Sequence, residues 1–383
     1  MSSLYHPVKI GSLQLDGNLF LAPVAGYSDR AFRGLCIKGG SNFEYTEMVS
    51  AEALTRRNGK TQEIMKAAPN ESKYAVQIFG GTPDVMYEAA CLVLEQTNAS
   101  CIDINAGCPV PKVVKTGAGS SLTRDPERLH DIVAAVVQAV KDKGATLPAS
   151  DIAQPDATLP CEAQSDGAHL TDSATVNNAI SASNSNSSAH SGVTTAGLIP
   201  VTVKIRSGWD QLNITFRDAA ERAIAAGAAA LTMHPRTRAQ GYEGRSNWAL
   251  LHELVELVNG RVPVFGSGDI FKPEDAKKML EETGVDGVMF ARGAMGHPFI
   301  FRQTRELLLN GTYGDIAPKE RLTAGFEELD VLIEDRGEKA ACKDMRKRFC
   351  AYSKGLNGGA ALRLAIVHAE TKSDYQNIFA EYL

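Results

Sequence analysis

The stretch Cys101-Ile102-Asp103-Ile104-Asn105-Ala106-Gly107-Cys108-Pro109 decides the fold. A largely apolar run stops at Asn-Ala-Gly-Cys-Pro, which reads as a strand buried on both faces and ended by a tight turn. A helical pattern follows from Pro126 to Lys141, with Val133, Val136, Val137 and Val140 on one stripe. The same strand-then-helix unit recurs in both directions along the chain. Strand-type runs lie at Leu19 to Ala22, Phe43 to Thr46, Tyr74 to Phe79, Cys101 to Asn105, Val201 to Ile205, Ala230 to His234, Pro263 to Gly266 and Gly287 to Ala291, eight in all. Buried strands alternating with amphipathic helices imply parallel pairing, and eight units predict an α/β fold of the (β/α)₈ TIM-barrel type. An open doubly wound sheet is the alternative.

After Pro298 the strand signals cease. The sequence predicts a barrel over residues 1–309 and a small all-helical domain over 310–383. Residues 145–198 are rich in Ser, Ala, Asn and Thr with no hydrophobic period, and predict a flexible insert on the bottom face of the barrel. That insert holds five acidic residues and no Lys or Arg, so the net charge of −5 resides there and the remainder is neutral. Within the remainder, Arg336 to Arg363 carries eight basic residues against Glu338 and Asp344, a basic face suited to nucleic acid.

The composition, 383 residues that are 44% hydrophobic and 22% charged, excludes collagen, coiled coil and a wholly disordered chain. No apolar run is long enough to span a membrane, and no secretory leader is legible at the N-terminus, so a cytoplasmic protein is expected. Seven cysteines without a C-x-x-C pair offer neither a disulfide framework nor a metal cradle, and no metal is expected.

Polar and glycine-rich segments follow the strands, which in a barrel puts them together at one mouth. Gly266-Ser267-Gly268-Asp269 and Ala291-Arg292-Gly293, after the seventh and eighth strands, read as a phosphate cradle with the Arg292 guanidinium beside it. No G-x-G-x-x-G follows the first strand and no G-x-x-x-x-G-K-[ST] occurs, which excludes Rossmann and P-loop sites. Cys108 tops the fourth strand, where a thiol that titrates near ~8.5 can serve as a general acid. The other six cysteines read as small buried hydrophobes. Lys204 ends an apolar run and can stabilise negative charge in the mouth. His234, Arg236 and Arg238 follow the sixth strand, and Gln77 on the third can hydrogen-bond a planar heterocycle.

Taken together, APVAGYSDRAFR (22–33), QIFG (77–80), DINAGCPVPKVVKTGAGSSL (103–122), VKIRSGW (203–209), HPRTRAQGYEG (234–244), GSGDI (266–270) and ARGAMGHPFIF (291–301) resemble the tRNA-dihydrouridine synthases, and MRKRFCAYSKGLNG (345–358) resembles their bacterial B-type branch. The resemblance implies an FMN-bearing barrel with a helical tRNA-binding domain that reduces the C5=C6 bond of tRNA uridines. NADPH, or NADH, would be the reductant, and a monomer is expected. By motif, Cys108 would protonate C5 while hydride goes to C6. Pro23, Val24 and Ala25 would line the flavin ring, and Gln77 and Lys204 would bond its polar edge. Ser267, Gly268, Asp269, Ala291 and Arg292 would hold the phosphate with help from His234. Asn105, Arg236 and Arg238 would meet the target nucleotide, and Arg346, Lys347 and Arg348 the rest of the tRNA. Val24 stands where the family often has Met, Ala291 replaces a frequent Gly, and the insert is unusual. Two alternative readings are an FMN barrel acting on a free pyrimidine, like dihydroorotate dehydrogenase, and a tRNA-binding or folding protein with secondary catalysis.

Overall fold

The structure is a computed structural model that describes residues 3–153 and 197–383. Eight parallel strands form the barrel: β1 (Leu19–Leu21), β2 (Phe43–Tyr45), β3 (Tyr74–Phe79), β4 (Cys101–Ala106), β5 (Val201–Asp210), β6 (Ala230–Thr237), β7 (Val264–Ser267) and β8 (Gly287–Phe290). They pair in chain order, and pairing of β8 with β1 closes the ring. All eight coincide with the sequence expectation, because each is largely apolar and buried on both faces, between the barrel interior and a helical shell.

Two cores result. Inside the barrel, Phe20 meets Phe265 edge-on at 4.8 Å and Phe43 at 6.4 Å, and Phe43 meets Tyr45 at 5.3 Å. An antiparallel hairpin of Val8–Ile10 and Leu13–Leu15, which the sequence reading missed, closes the N-terminal ends of the strands with Val8, Ile10, Leu13 and Leu15 buried in that same core. Outside the strands lies the second core, against helices α1 (Arg30–Lys38), α2 (Pro83–Gln96), α3 (Pro126–Asp142), α4 (Phe216–Ala225), α5 (Ala249–Val258), α6 (Pro273–Thr283) and α7 (Ile300–Asn310). Helix α3 starts at Asp125, whose side chain accepts from the Arg128 N–H, with Pro126 in the first turn. It buries Val133, Val136 and Val140 as its periodicity requires.

The expected insert is too wide at both ends. Thr146 bridges Leu198, Ile152 bridges Leu13 on the hairpin, and Leu147 is buried in the barrel core. Residues 145–153 and 197–198 are thus part of the barrel floor; 154–196 lie outside the described residues.

Beyond α7 come α8 (Pro318–Arg336), α9 (Glu338–Tyr352), α10 (Gly359–His368) and α11 (Lys372–Phe379). They share a core of Leu322, Leu329, Met345, Phe349, Tyr352, Tyr375 and Phe379, to which α1 contributes Ala31 and Leu35. The helical bundle therefore packs on the β1 side of the barrel. Among the described residues no helix is long and apolar enough to cross a membrane.

Candidate active site

The C-terminal strand ends enclose a cavity of about 430 Å³. Its wall takes Pro23, Val24 and Ala25 from the β1 end, Gln77 from β3, Asn105 and Cys108 from β4, Lys204 from β5, His234 from β6, Ser267, Gly268 and Asp269 from β7, and Ala291 and Arg292 from β8. These segments are distant in the chain, and barrel closure alone brings them together.

A buried polar chain runs across the floor. The Gln77 Nε2 donates to Asp103 at 2.6 Å, Thr202 donates to the other Asp103 oxygen at 2.6 Å, and Asn105 Nδ2 donates to Gln77 Oε1 at 2.8 Å. The Asn105 oxygen then accepts from the backbone N–H of Gly107 at 3.1 Å and of Cys108 at 2.9 Å, which fixes the turn carrying the thiol. Burial pushes the Asp103 carboxyl up to about 6, against the hydrogen bonds from Thr202 and Gln77.

Burial likewise raises the Cys108 thiol above its usual range, with only partial opposition from the Val110 N–H and from Arg206 and Lys204. The group is a thiol at neutral pH and can give up a proton. Lys204 is pushed down to about 8 by burial first and then by the charge of Arg206. Among the described residues no carboxylate or carbonyl hydrogen-bonds its ammonium, which lines the cavity with the Asp103 carboxylate only partly offsetting its charge. His234 is pushed down to about 2 by burial and by four surrounding cations, Lys204, Arg206, Arg236 and Arg292, and is a neutral imidazole.

At the β7 and β8 ends, Gly268 sits at φ +108°, and a Cβ there would come within 2.5 Å of Ser246 Oγ and 2.8 Å of His234 Cδ2. Ser246 Oγ is itself buried without a hydrogen-bond partner. A backbone kept bare by glycine, an orphaned hydroxyl and the Arg292 guanidinium form a cradle fit for a phosphate, and the Lys204 ammonium on the cavity wall suits an anionic heterocycle edge. The residues present thus fit a phosphate-bearing planar cofactor. No group of three or more metal-ligating side chains occurs among the described residues.

The Dihydrouridine synthase (Dus) family profile matches residues 20–150 and 168–382. This chain belongs to the dihydrouridine synthase family. It is 45% identical over 381 residues to a probable tRNA-dihydrouridine synthase of Treponema pallidum, covering 99% of this chain and 97% of that protein. It is 32% identical over 348 residues to tRNA-dihydrouridine synthase B of Vibrio parahaemolyticus, covering 91% and 89%, and it falls with that B-type branch of the family. Among solved structures, DHODH from Eimeria tenella aligns at TM-score 0.51 and 16% identity over 79% of this chain and 83% of that one, a likeness of fold.

Within this family member several residues do other than their motifs suggested. Arg236 is 1% exposed and forks onto Asp269 at 2.8 and 2.9 Å, so it cannot reach an RNA. The Asp269 carboxylate is occupied by Arg236, by Arg292 at 3.1 Å and by the Ser246 N–H at 2.8 Å. It therefore arranges the cradle, and only its backbone is open to a phosphate. Gln77 has both ends of its amide engaged within the protein, leaving one N–H and one lone pair for a ligand. Arg348, also 1% exposed, is buried between Glu328 and Asp29. Arg346 is half-buried and donates to the Ala369 carbonyl, and Lys347 is exposed and donates to the Gly26 carbonyl. The motifs overlooked Met48, Arg206, Tyr242 and Phe271 on the cavity wall. Arg206 was within reach of sequence reasoning, since its place two residues after Lys204 on one strand gives it the same face.

Proposed function

We propose that this protein is a tRNA-dihydrouridine synthase that reduces the C5=C6 bond of particular uridines in tRNA, with FMN in the barrel mouth and NADPH (or NADH) as reductant. The observation that carries the proposal is the Cys108 side chain on the same cavity wall as the Lys204 ammonium and the Gly268 and Arg292 cradle. When bound, the flavin supplies a hydride for C6 of the base. Cys108 gives its proton to C5, and the resulting thiolate regains one from water. Asn105 holds the Cys108 backbone through its side-chain oxygen, fixing where the proton leaves from. Ser267, Gly268, Ala291 and Arg292 would bind the cofactor phosphate beside the neutral His234, with Asp269 holding Arg292 in place. Pro23, Val24 and Ala25 would shelter the ring, and Lys204 would face its anionic edge.

A uridine reaches this mouth only by leaving its stack, so further surface must hold the rest of the tRNA. The helical bundle over 310–383 offers exposed Lys339, Lys343, Lys347, Lys354 and Arg363 for that purpose. Incubation with NADPH and an unmodified tRNA transcript should yield dihydrouridine by mass spectrometry. Cys108→Ala should lower that yield by roughly 10²-fold or more while NADPH still bleaches the flavin band near ~450 nm. A wild-type protein with reducible flavin that forms no dihydrouridine on any tRNA sinks this reading.

A further inference from the structure

We propose that Arg124, Trp209 and Arg238 form a clamp on the barrel rim for backbone phosphates of the nucleotides flanking the target uridine, an inference that rests on the function proposed above. Strand β5 runs past the barrel wall, turns back on Asn213–Ile214, and presents Trp209 beside the mouth. The Arg124 guanidinium carbon lies 4.4 Å from the Trp209 ring centroid and that of Arg238 lies 4.7 Å from it. The backbone holds this arrangement in register: Arg238 N–H donates to Gly208 O and Ala239 N–H to Trp209 O, each at 2.8 Å.

What sets this pair apart from the arginines of the mouth is that neither side chain is engaged by a carboxylate or a carbonyl among the described residues. Arg206 donates to three carbonyls, and Arg236 and Arg292 share Asp269. Arg124 and Arg238 have no carboxylate within ion-pair reach among the described residues, and Arg238 Nε is buried with no hydrogen-bond partner. The acids nearest in sequence are committed elsewhere. Asp125 caps α3 and pairs with Arg128, and Asp210 accepts from Leu212 N–H and Asn213 Nδ2. Held over one indole and paired with no carboxylate, the two guanidiniums keep N–H groups uncommitted, and such groups receive phosphate oxygens well.

Position selects RNA as the polyanion. Arg124 ends the turn Gly119–Arg124, whose Ser120 bonds the Cys108 carbonyl at 2.9 Å, and Arg238 closely follows the strand that carries His234. The clamp thus stands on the segments flanking Cys108. In the closed strand order β5 lies four places from β1, where the helical bundle packs, so clamp and bundle face each other across the mouth. Tyr242, 61% exposed and lining the cavity, lies in the segment that follows Arg238, with Arg292 over its ring at 4.7 Å. A strand gripped on both sides presents the nucleotide between them to Cys108.

The test is steady-state kinetics of the full-length holoenzyme on a tRNA transcript at several salt concentrations, for wild type, Arg124→Gln, Arg124→Glu and Trp209→Leu. Expected for Arg124→Gln is a KM for tRNA raised about tenfold, with kcat within about twofold and the salt slope reduced by roughly 0.7–0.9, as for one lost phosphate contact. Flavin reduction by NADPH without RNA should be unchanged in every variant. Arg124 is exposed, so its replacement reads the clamp even if Trp209→Leu fails to fold. An unchanged KM and salt slope in both Arg124 variants overturns the clamp while leaving the synthase reading intact, and is the result expected if the cluster instead meets an acidic protein. A wild type that makes no dihydrouridine overturns the synthase reading instead. Direct tRNA-binding isotherms of wild type against Arg124→Glu then decide the clamp by themselves.

Discussion

Under the proposed function, Lys204 ties burial to cofactor affinity. Its ammonium lines the cavity with no hydrogen-bonded partner, and burial has brought its titration down to about 8 against the pull of the Asp103 carboxylate. The charged form is the one that attracts an anionic ring edge, so the attraction is present below that value and fades as pH rises through it. Titrating the flavin-free protein with FMN should show affinity falling between about pH 7 and 9, by up to roughly tenfold for ~1.4 kcal/mol of lost attraction. Lys204→Met should bind more weakly at pH 7 and flatten the profile. His234, pushed down to about 2, stays neutral throughout, so no step should occur near the ordinary histidine value of 6.5. A profile whose fall survives in Lys204→Met assigns the titration to another group.

At the scale of elements, the decisive joint links α1, α8 and α9. Asp29 caps α1 by accepting from Phe32 N–H and also takes Arg348 Nη2 at 2.6 Å, while Arg348 Nη1 meets the fully buried Glu328. The Tyr27 ring lies under Arg348 at 4.9 Å. Removing one partner of such a buried network leaves uncompensated charge, at a cost of about 3–5 kcal/mol. Arg348→Ala should therefore lower the thermal midpoint by several degrees and loosen the bundle from the barrel. Lys347→Glu, one residue away and exposed, should weaken tRNA binding with little change in melting. Calorimetry and binding isotherms on the two variants separate the cases, and equal melting losses refute the distinction. This difference is not legible in the sequence: Arg346-Lys347-Arg348 reads as one basic run, yet a helix turns about 100° per residue, so adjacent side chains face core and solvent in turn. The strands were legible because continuous apolar runs leave few alternatives. The pairings of Arg348 with Asp29 and of Arg236 with Asp269 were not, since they join segments that meet only after folding.

Over the whole molecule, the sequence separates an acidic, low-complexity segment from a near-neutral barrel and a near-neutral helical end whose basic residues cluster between Arg336 and Arg363, and the barrel floor shows where that separation begins. Composition assigned 145–198 to the insert because Ser, Ala and Thr carry no periodicity. Three short contacts decide otherwise for its ends: the Thr146 to Leu198 bridge, the Ile152 to Leu13 bridge, and the Lys73 to Asp151 ion pair at 3.5 Å. With Leu147 in the barrel core, these contacts seat the hairpin that plugs the strands from below. Cutting from 146 to 197 exposes that floor and removes a buried leucine, a loss of about 2–5 kcal/mol if it behaves like a Leu-to-Ala core change. Replacing only 154–196 by a Gly/Ser linker keeps every one of these contacts. The shorter replacement should retain the wild-type melting temperature and dihydrouridine yield within about twofold, whereas the longer cut should melt earlier by several degrees. Because the floor lies at the opposite end of the strands from Cys108, the longer cut should lose stability before it loses KM for tRNA. If instead the shorter replacement raises KM for tRNA while melting unchanged, the segment takes part in substrate binding and the division between floor and mouth fails.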